Sequence, residues 1–484
     1  MNHLLGEDEF SFDTRGGKIH VQRSDTTLTP FGGLVAFASF IEKLGIIDTL
    51  VESCPIKRTS NNATPIRDLL IGFLLVCIQD GKRFRHMRFV QDDPAIAAIF
   101  KVQRRIPSDS SVIRFFKKID SEQGKAWLYK AEELFYNSIA DKCILDWDST
   151  VTTRFGEQEG AEIGYNPHKP GRASHHPLLC TIAGTRLCLH MTYRPGDSSS
   201  SSGWIEAMET VLSRLPKGIT VFLNRADVAF ASEESLSWHE SDVKRPHYLF
   251  KLRKSARVME AIASVKETDW NGECGFGVTQ VCERRLRLQG WSKERRVILS
   301  RKLIKKESPE ESGTLFGICQ YEYSAYVTDL SESYANAFQI VILYNKRCDS
   351  ENIFDETKNQ WGLNGFCSQN RNVTEFAARM TMLSYNLWSL FVRFFNLNKH
   401  EEAQCSRKEF LLLASSLTRS KRKTTLKISV NDKLWNRIRA GYDRLLYWLK
   451  QTAPQLKLTG GFGAWSTAFF GLLEPPDSEN LAVN

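Results

Sequence analysis

The stretch KCILDWDSTVTT, residues 142–153, constrains this chain most. Its residues alternate with the period of two that sends successive side chains to opposite faces of a strand, so Ile144, Asp146, Asp148 and Thr150 share one face. Two further apolar runs, Pro177 to Ala183 and Leu187 to Tyr193, flank Gly184 and Thr185 and predict a hairpin. A serine-rich loop from Pro195 to Gly203 leads into a helix from about Trp204 to Leu215. A strand Ile219–Asn224, a short helix and a strand near Tyr248–Leu252 follow. This succession is that of a mixed α/β domain.

Helical periodicity flanks it on both sides. Residues 1–140 read as helical, with apolar positions at helical spacing through Leu34–Leu50, Ile66–Ile78 and Val112–Phe135. In PSDSSVIRFFKKI, Ser108 or Asp109 is an N-cap, and Arg114, Lys117 and Lys118 stand beside Phe115 and Phe116, as on a DNA-contacting helix or a solvated one. Residues 331–362 form one long helical pattern, followed by helices near 373–396, 407–416 and 432–451. The basic run TRSKRKTT, Thr418–Thr425, connects the last two.

The formal charge is +9, from 65 Lys and Arg against 56 Asp and Glu. The window Lys251–Lys306 holds 15 Lys and Arg against six Asp and Glu, so it carries the whole excess. Its runs CERRLRLQGW and ERRVILSRKLIKK alternate basic and apolar residues, as strands with one cationic face would, and point to phosphate contact through Arg284, Arg285, Arg287, Arg295 and Arg296. The 11 cysteines form no C-x-x-C pair, which excludes a zinc knuckle and fits a reducing compartment. The longest apolar run, Leu69–Ile78, has ten residues, too few to cross a bilayer of about 30 Å. The opening MNHLLGEDEF has neither the basic nor the apolar region of a signal peptide, so a cytoplasmic protein with no membrane partner is expected.

The segment YNKRCDSENIFDETK places Tyr344, Arg347, Glu351 and Lys358 at offsets of zero, three, seven and fourteen. At ~100° per residue these fall within about 60° on one helix and predict a single polar face turned to a substrate. His175-His176, adjacent on an extended segment, point to opposite sides and make no metal site.

These residues resemble the insertion-sequence transposases, whose signature is Tyr, two residues, Arg, three residues, Glu, six residues, Lys; Tyr344, Arg347, Glu351 and Lys358 match it throughout. The resemblance supplies a first catalytic Asp on the opening strand of a ribonuclease-H-like domain in a D-x-T context, here Asp148-Ser149-Thr150. It supplies a second after a later strand in a D-x-x-F context, here Asp227-Val228-Ala229-Phe230. The block Gly156–Leu179 resembles the insertion-sequence family numbered thirteen-eighty in particular. Where that family has Ser-Gly after the second Asp this chain has Val228-Ala229, and it has an additional acid, Asp146, assigned a supporting role beside Asp148.

The resemblance implies a ribonuclease-H-like catalytic domain of residues 141–251 and 331–400, a β-rich insertion of residues 252–330 that grips DNA, a helical DNA-binding region of residues 1–140 and a C-terminal helical region of residues 401–484. Asp148, Asp227 and Glu351 would be metal ligands for two Mg²⁺ ions, with Mn²⁺ as a substitute, because hard oxygen donors suit these cations and paired ions serve both ends of an in-line phosphoryl displacement. Arg347 suits a phosphate through its planar guanidinium, Lys358 through its point charge and Tyr344 through its hydroxyl. The resemblance further suggests an aromatic of the insertion, Trp291, that stacks on a base, although Trp270 and Trp291 also read as strand-pairing residues. The implied partners are double-stranded DNA with terminal inverted repeats, target DNA and a second copy of the chain. Two other readings remain, a catalytically impaired DNA-binding relative and a ribonuclease-H-superfamily nuclease that cuts without joining. No dinucleotide-binding, Walker or nucleophile-elbow motif supports a metabolic enzyme.

Overall fold

In the computed structural model the described residues are 9–451 except 24, 58, 59, 61, 104, 139, 140, 273–277, 308–317, 398, 399, 421 and 422. Eight strands form one mixed sheet: β1 Lys142–Ser149, β2 Leu178–Ile182, β3 Leu187–Thr192, β4 Thr220–Ala226, β5 His247–Lys251, β6 Thr279–Leu286, β7 Arg295–Glu307 and β8 Ile318–Thr328. Their order across the sheet is β6-β7-β8-β5-β4-β1-β2-β3. Strand β4 runs parallel to β1 and β5, and every other neighbouring pair is antiparallel. The central parallel strands are buried on both faces, the usual condition of parallel pairing, with Cys143 to Trp147 of β1 all inaccessible.

The residues expected as a separate β-rich insertion instead continue this sheet. Strand β8 pairs with β5 at Leu249↔Thr328, Phe250↔Val327 and Lys251↔Tyr326, and β7 and β6 follow outward. Two of the five arginines expected on a cationic face there, Arg295 and Arg296, are internal. Arg295 is buried and donates to Glu240 Oε1 at 2.8 Å and to Glu233 Oε2 at 2.6 Å, both on the helix Glu233–Glu240. Arg296 is buried between Glu283 Oε2 and the Leu330 carbonyl, each at 2.7 Å. A count of charges in a window cannot register partners that lie elsewhere in the sequence or on the next strand.

The helical N-terminal region is likewise not set apart. Helices α1 Leu34–Leu44, α2 Ile46–Glu52, α3 Ile66–Ile78, α4 Asp109–Phe116 and α5 Ser121–Glu132 share one hydrophobic core with the sheet. After α6 Trp204–Arg214, α7 Glu233–Glu240, α8 Ala337–Asn345 and α9 Cys348–Gln360 comes α10 Arg371–Val392, whose residues from Val373 onward are all buried. Helix α10 is the shared element: α1, α3, α4 and α5 pack on it, and its far side closes the edge strand β3. Asn386 accepts from the Cys188 N–H at 2.9 Å and donates to the Cys188 carbonyl at 2.7 Å, while Arg379 donates to the Met191 carbonyl at 2.6 Å. An edge strand that would otherwise expose unpaired backbone groups is thus sealed by side chains.

The chain differs from expectation at three further places. A hairpin of Glu9–Thr14 and Gly17–Gln22 precedes the helices. The helix expected over 331–362 is α8 and α9, separated by a turn at Lys346 and Arg347. The segment expected as a helix over 407–416 is a single wide turn, Arg407–Leu411, leading into a strand Ser415–Arg419 that pairs with Thr424–Ile428, so the two ends of the basic run lie on paired strands. Helix α11, Asp432–Leu449, returns to α1, with Trp448 against Phe40. Among the described residues no helix is long and apolar enough to cross a membrane.

Two outcomes follow from these contacts. Asn386→Leu keeps the branched side-chain shape but leaves two buried backbone groups of β3 without partners, a loss of about 1–3 kcal/mol for each, measurable by chemical denaturation. Arg295→Gln breaks a buried ion pair and is expected to lower stability at neutral pH by about 3–5 kcal/mol. Hydrogen bonds from Arg295 hold the Glu233 carboxyl down to about 2, from an ordinary value of 4.5. A carboxyl depressed in the folded state adds stability above its unfolded value and loses it as pH falls through the folded one. Between about pH 4.5 and pH 2 the unsubstituted protein should therefore lose more stability than Arg295→Gln, and parallel curves would refute the pairing.

Candidate active site

Parallel pairing of β1 with β4 sets Arg225 opposite Asp146 and Ala226 opposite Trp147. The next residues, Asp148 and Asp227, therefore stand side by side where the two strands end. Each carboxylate accepts from the backbone N–H that follows it: Asp148 Oδ1 from Ser149 at 2.7 Å, Asp227 Oδ1 from Val228 at 2.6 Å. Burial raises the Asp148 pKa above the ordinary carboxylate value; Arg347 lowers it, and the Asp227 charge raises it further. Two carboxylates this close, one of them poorly solvated, are an arrangement that a cation relieves.

Arg347 is the cation that meets Asp148 here. Its Nη2 lies 2.7 Å from Asp148 Oδ2 and donates to the Trp147 carbonyl at 3.0 Å. It is buried at the turn between α8 and α9, with the Asp148 charge keeping its guanidinium firmly protonated. The side chain expected to face phosphate alone is thus tied to the first acid. Tyr344, at the end of α8, is buried against Tyr326, ring centroids 4.8 Å apart. Burial pushes its hydroxyl pKa up, and Arg347, Asp227 and Asp148 all lie within electrostatic reach of it.

Helix α9 packs against β1 and α10. It carries Glu351 in its first turn, but the Glu351 side chain lies outside the described residues. Lys358 is half-buried near the other end; burial holds its ammonium below the usual range, and the Asp148 charge opposes that shift. The structure therefore brings Asp148, Asp227, Tyr344, Arg347 and Lys358 together, around a turn between two helices instead of along one helical face. Among the described residues no group of three acids, histidines or cysteines is placed to hold a metal.

Asp146 is a structural partner. It is buried and receives two hydrogen bonds of 2.7 Å from Arg225, which also donates to the Leu343 carbonyl of α8. Sequence reasoning missed Arg225; the only signal was a charged residue inside the mostly apolar strand ITVFLNRA.

The remaining candidates sit in the outer strands. Arg284 pairs with Asp269 at 2.8 Å, Arg285 is exposed, and Arg287 is exposed with Nε donating to the Trp291 carbonyl at 3.1 Å. Arg295 and Arg296 are committed to internal partners, as described above. Trp291 is 7 % exposed and lies under the Arg295 guanidinium, 5.1 Å from the ring centroid, so it presents no free face to a base. His175 and His176 are both buried, with pKa values lowered first by desolvation.

A family model described as transposase DDE domain group 1 matches residues 13–446. Among solved structures, a cryo-EM structure of a piggyBac transposase synaptic complex with hairpin DNA is similar over 94% of this chain and 88% of that one, at 13% identity and a TM-score of 0.38. Comparison with curated proteins gives no significant match. With the family model spanning nearly all of the sheet and its surrounding helices, the chain belongs to the transposase DDE domain group 1 family.

Proposed function

We propose that this protein cleaves DNA at the ends of an insertion sequence and joins those ends to target DNA, with Asp148, Asp227 and Glu351 as the acidic triad. The observation that carries the reading is the juxtaposition of Asp148 and Asp227 at the carboxyl ends of two parallel strands. The family match and the signature residues gathered beside the pair support it. A first acid on the opening strand and a second after a later strand of one mixed sheet is also the arrangement a ribonuclease-H-like domain requires.

The donor set fits hard divalent cations. Asp148 and Asp227 offer only carboxylate oxygens, and each keeps one oxygen outside its own backbone hydrogen bond. Two Mg²⁺ ions, or Mn²⁺ in their place, would activate the attacking oxygen and neutralise the leaving one. In cleavage, a bond forms from a water oxygen to phosphorus and the bond to the 3′-oxygen breaks, that oxygen taking a proton. In joining, the freed 3′-hydroxyl attacks a target phosphodiester and displaces another 3′-oxygen. Asp148 and Asp227 hold the charge that both steps need. Lys358 adds positive charge on the Asp148 side. Arg347, paired with Asp148 Oδ2, would give up that oxygen to a bound cation and offer its planar guanidinium to phosphate. Terminal inverted repeats, target DNA and a second copy of the chain are the partners this chemistry calls for, and the thirteen-eighty family is the closer kinship that the Gly156–Leu179 block favours.

Asp148→Asn, Asp227→Asn and Glu351→Gln are each expected to abolish Mg²⁺-dependent cleavage of DNA bearing the terminal repeats while leaving its binding intact. Strand-transfer products from the unsubstituted chain would exclude a nuclease that only cuts. Near-normal cleavage by any one variant removes that residue from the triad. Arg347→Ala should lower both cleavage and thermal stability, since it also strips the Trp147 carbonyl of a buried donor.

A further inference from the structure

An open cleft of about 950 Å³ is lined by Lys358 of α9, within electrostatic reach of Asp148, and by Val151, three residues beyond Asp148. One wall is the turn Phe84–Met87, which turns Arg83 and Arg85 outward. Neither guanidinium has a carboxylate within ion-pair distance among the described residues, whereas Arg295, Arg296 and Arg301 of the basic window are all paired. The lining also includes Phe155 and His168. Phe155 is 73 % exposed, although it stands only seven residues beyond Asp148 in a loop anchored by the buried Arg154.

A large aromatic ring left in water, in one cleft with two arginines that have no carboxylate partner among the described residues, is the chemistry that recognises single-stranded nucleic acid. Unpaired bases offer π-faces to the ring while phosphates meet the charges. Duplex DNA hides those faces in its own stack, so a duplex gains the charges but not the ring. Trp291, the aromatic singled out in the sequence, is covered; Phe155 is open and borders the same cleft as Lys358.

We propose that this cleft binds a single-stranded stretch of DNA next to the phosphodiester being cut, with a base stacked on Phe155 and phosphates held by Arg83 and Arg85. The proposal rests on the reading of Asp148 and Asp227 as a DNA-cleaving centre and names where its strand goes.

Fluorescence anisotropy of the full chain with labelled oligo(dT) and with a blunt duplex tests it. Phe155→Ala should weaken oligo(dT) binding about 5- to 100-fold, with duplex affinity and melting temperature unchanged because the ring is exposed. Phe155→Trp should retain oligo(dT) affinity. The double variant Arg83→Gln, Arg85→Gln should reduce the slope of log affinity against log salt by about 1.4, from two single-strand contacts of about 0.7 each. Unaltered oligo(dT) binding by Phe155→Ala, or an unaltered slope in the arginine variant, overturns the proposal. Should the unsubstituted chain bind duplex but not oligo(dT), the cleft proposal falls and the cleavage reading stands; binding of neither removes both.

Discussion

The candidate active site hangs on one buried ion pair. Asp146 and Arg225 lie on adjacent parallel strands, each side chain 1 % exposed, joined by two hydrogen bonds of 2.7 Å. Slipping β4 against β1 by a single residue would separate the charges and turn each side chain to the wrong face, so the pair specifies register more than it adds stability. Register in turn puts Asp148 beside Asp227. The third arm of Arg225, to the Leu343 carbonyl, ties the end of α8 to the same point. From there the chain turns at Arg347, which closes on Asp148, and enters α9 with Glu351 and Lys358. One guanidinium thus links the two strands and the helix junction that carry the candidate chemistry.

A second dependence runs through α10. A fully buried helix of this length needs apolar surface on every side, and the N-terminal helices and the sheet supply it. Its polar residues, Asn386 and Arg379 among them, are spent on the backbone of β3, so the helix substitutes for a ninth strand at that edge. At the opposite side, β6 to β8 widen the sheet beyond β5, with Arg295 held by carboxylates from α7, Arg296 by Glu283 of β6, and Arg284 and Arg301 by Asp269 and Glu267. A region that reads as a separate cationic grip is therefore bound into the same sheet as the acids, and of the arginines expected to meet phosphate only Arg285 and Arg287 are fully exposed.

Local patterns in the sequence carried the reading as far as local patterns can. The alternation around Asp148 marked β1, the apolar runs either side of Gly184 marked the β2–β3 hairpin, and the Tyr-Arg-Glu-Lys spacing marked a stretch whose described members converge near Asp148. What escaped depends on contacts distant in sequence. Arg225 and Asp146 are 79 positions apart, and nothing in either segment announces the other. Arg295 looked like a DNA contact because its partners, Glu233 and Glu240, lie outside the basic window. The break at Lys346–Arg347 is invisible to helical periodicity because both residues keep near-helical backbone angles while the hydrogen-bond pattern resets. Phe155 was passed over since exposure of a single ring cannot be read from periodicity.

The central claim is that these strands assemble a divalent-cation site from carboxylates that in isolation repel each other. Electron paramagnetic resonance of Mn²⁺ titrated into the full chain, compared with Asp148→Asn and Asp227→Asn, tests it without any DNA substrate. Binding that is displaced by Mg²⁺ and lost or strongly weakened in both variants is the expected result. Equal Mn²⁺ binding in all three proteins would contradict it.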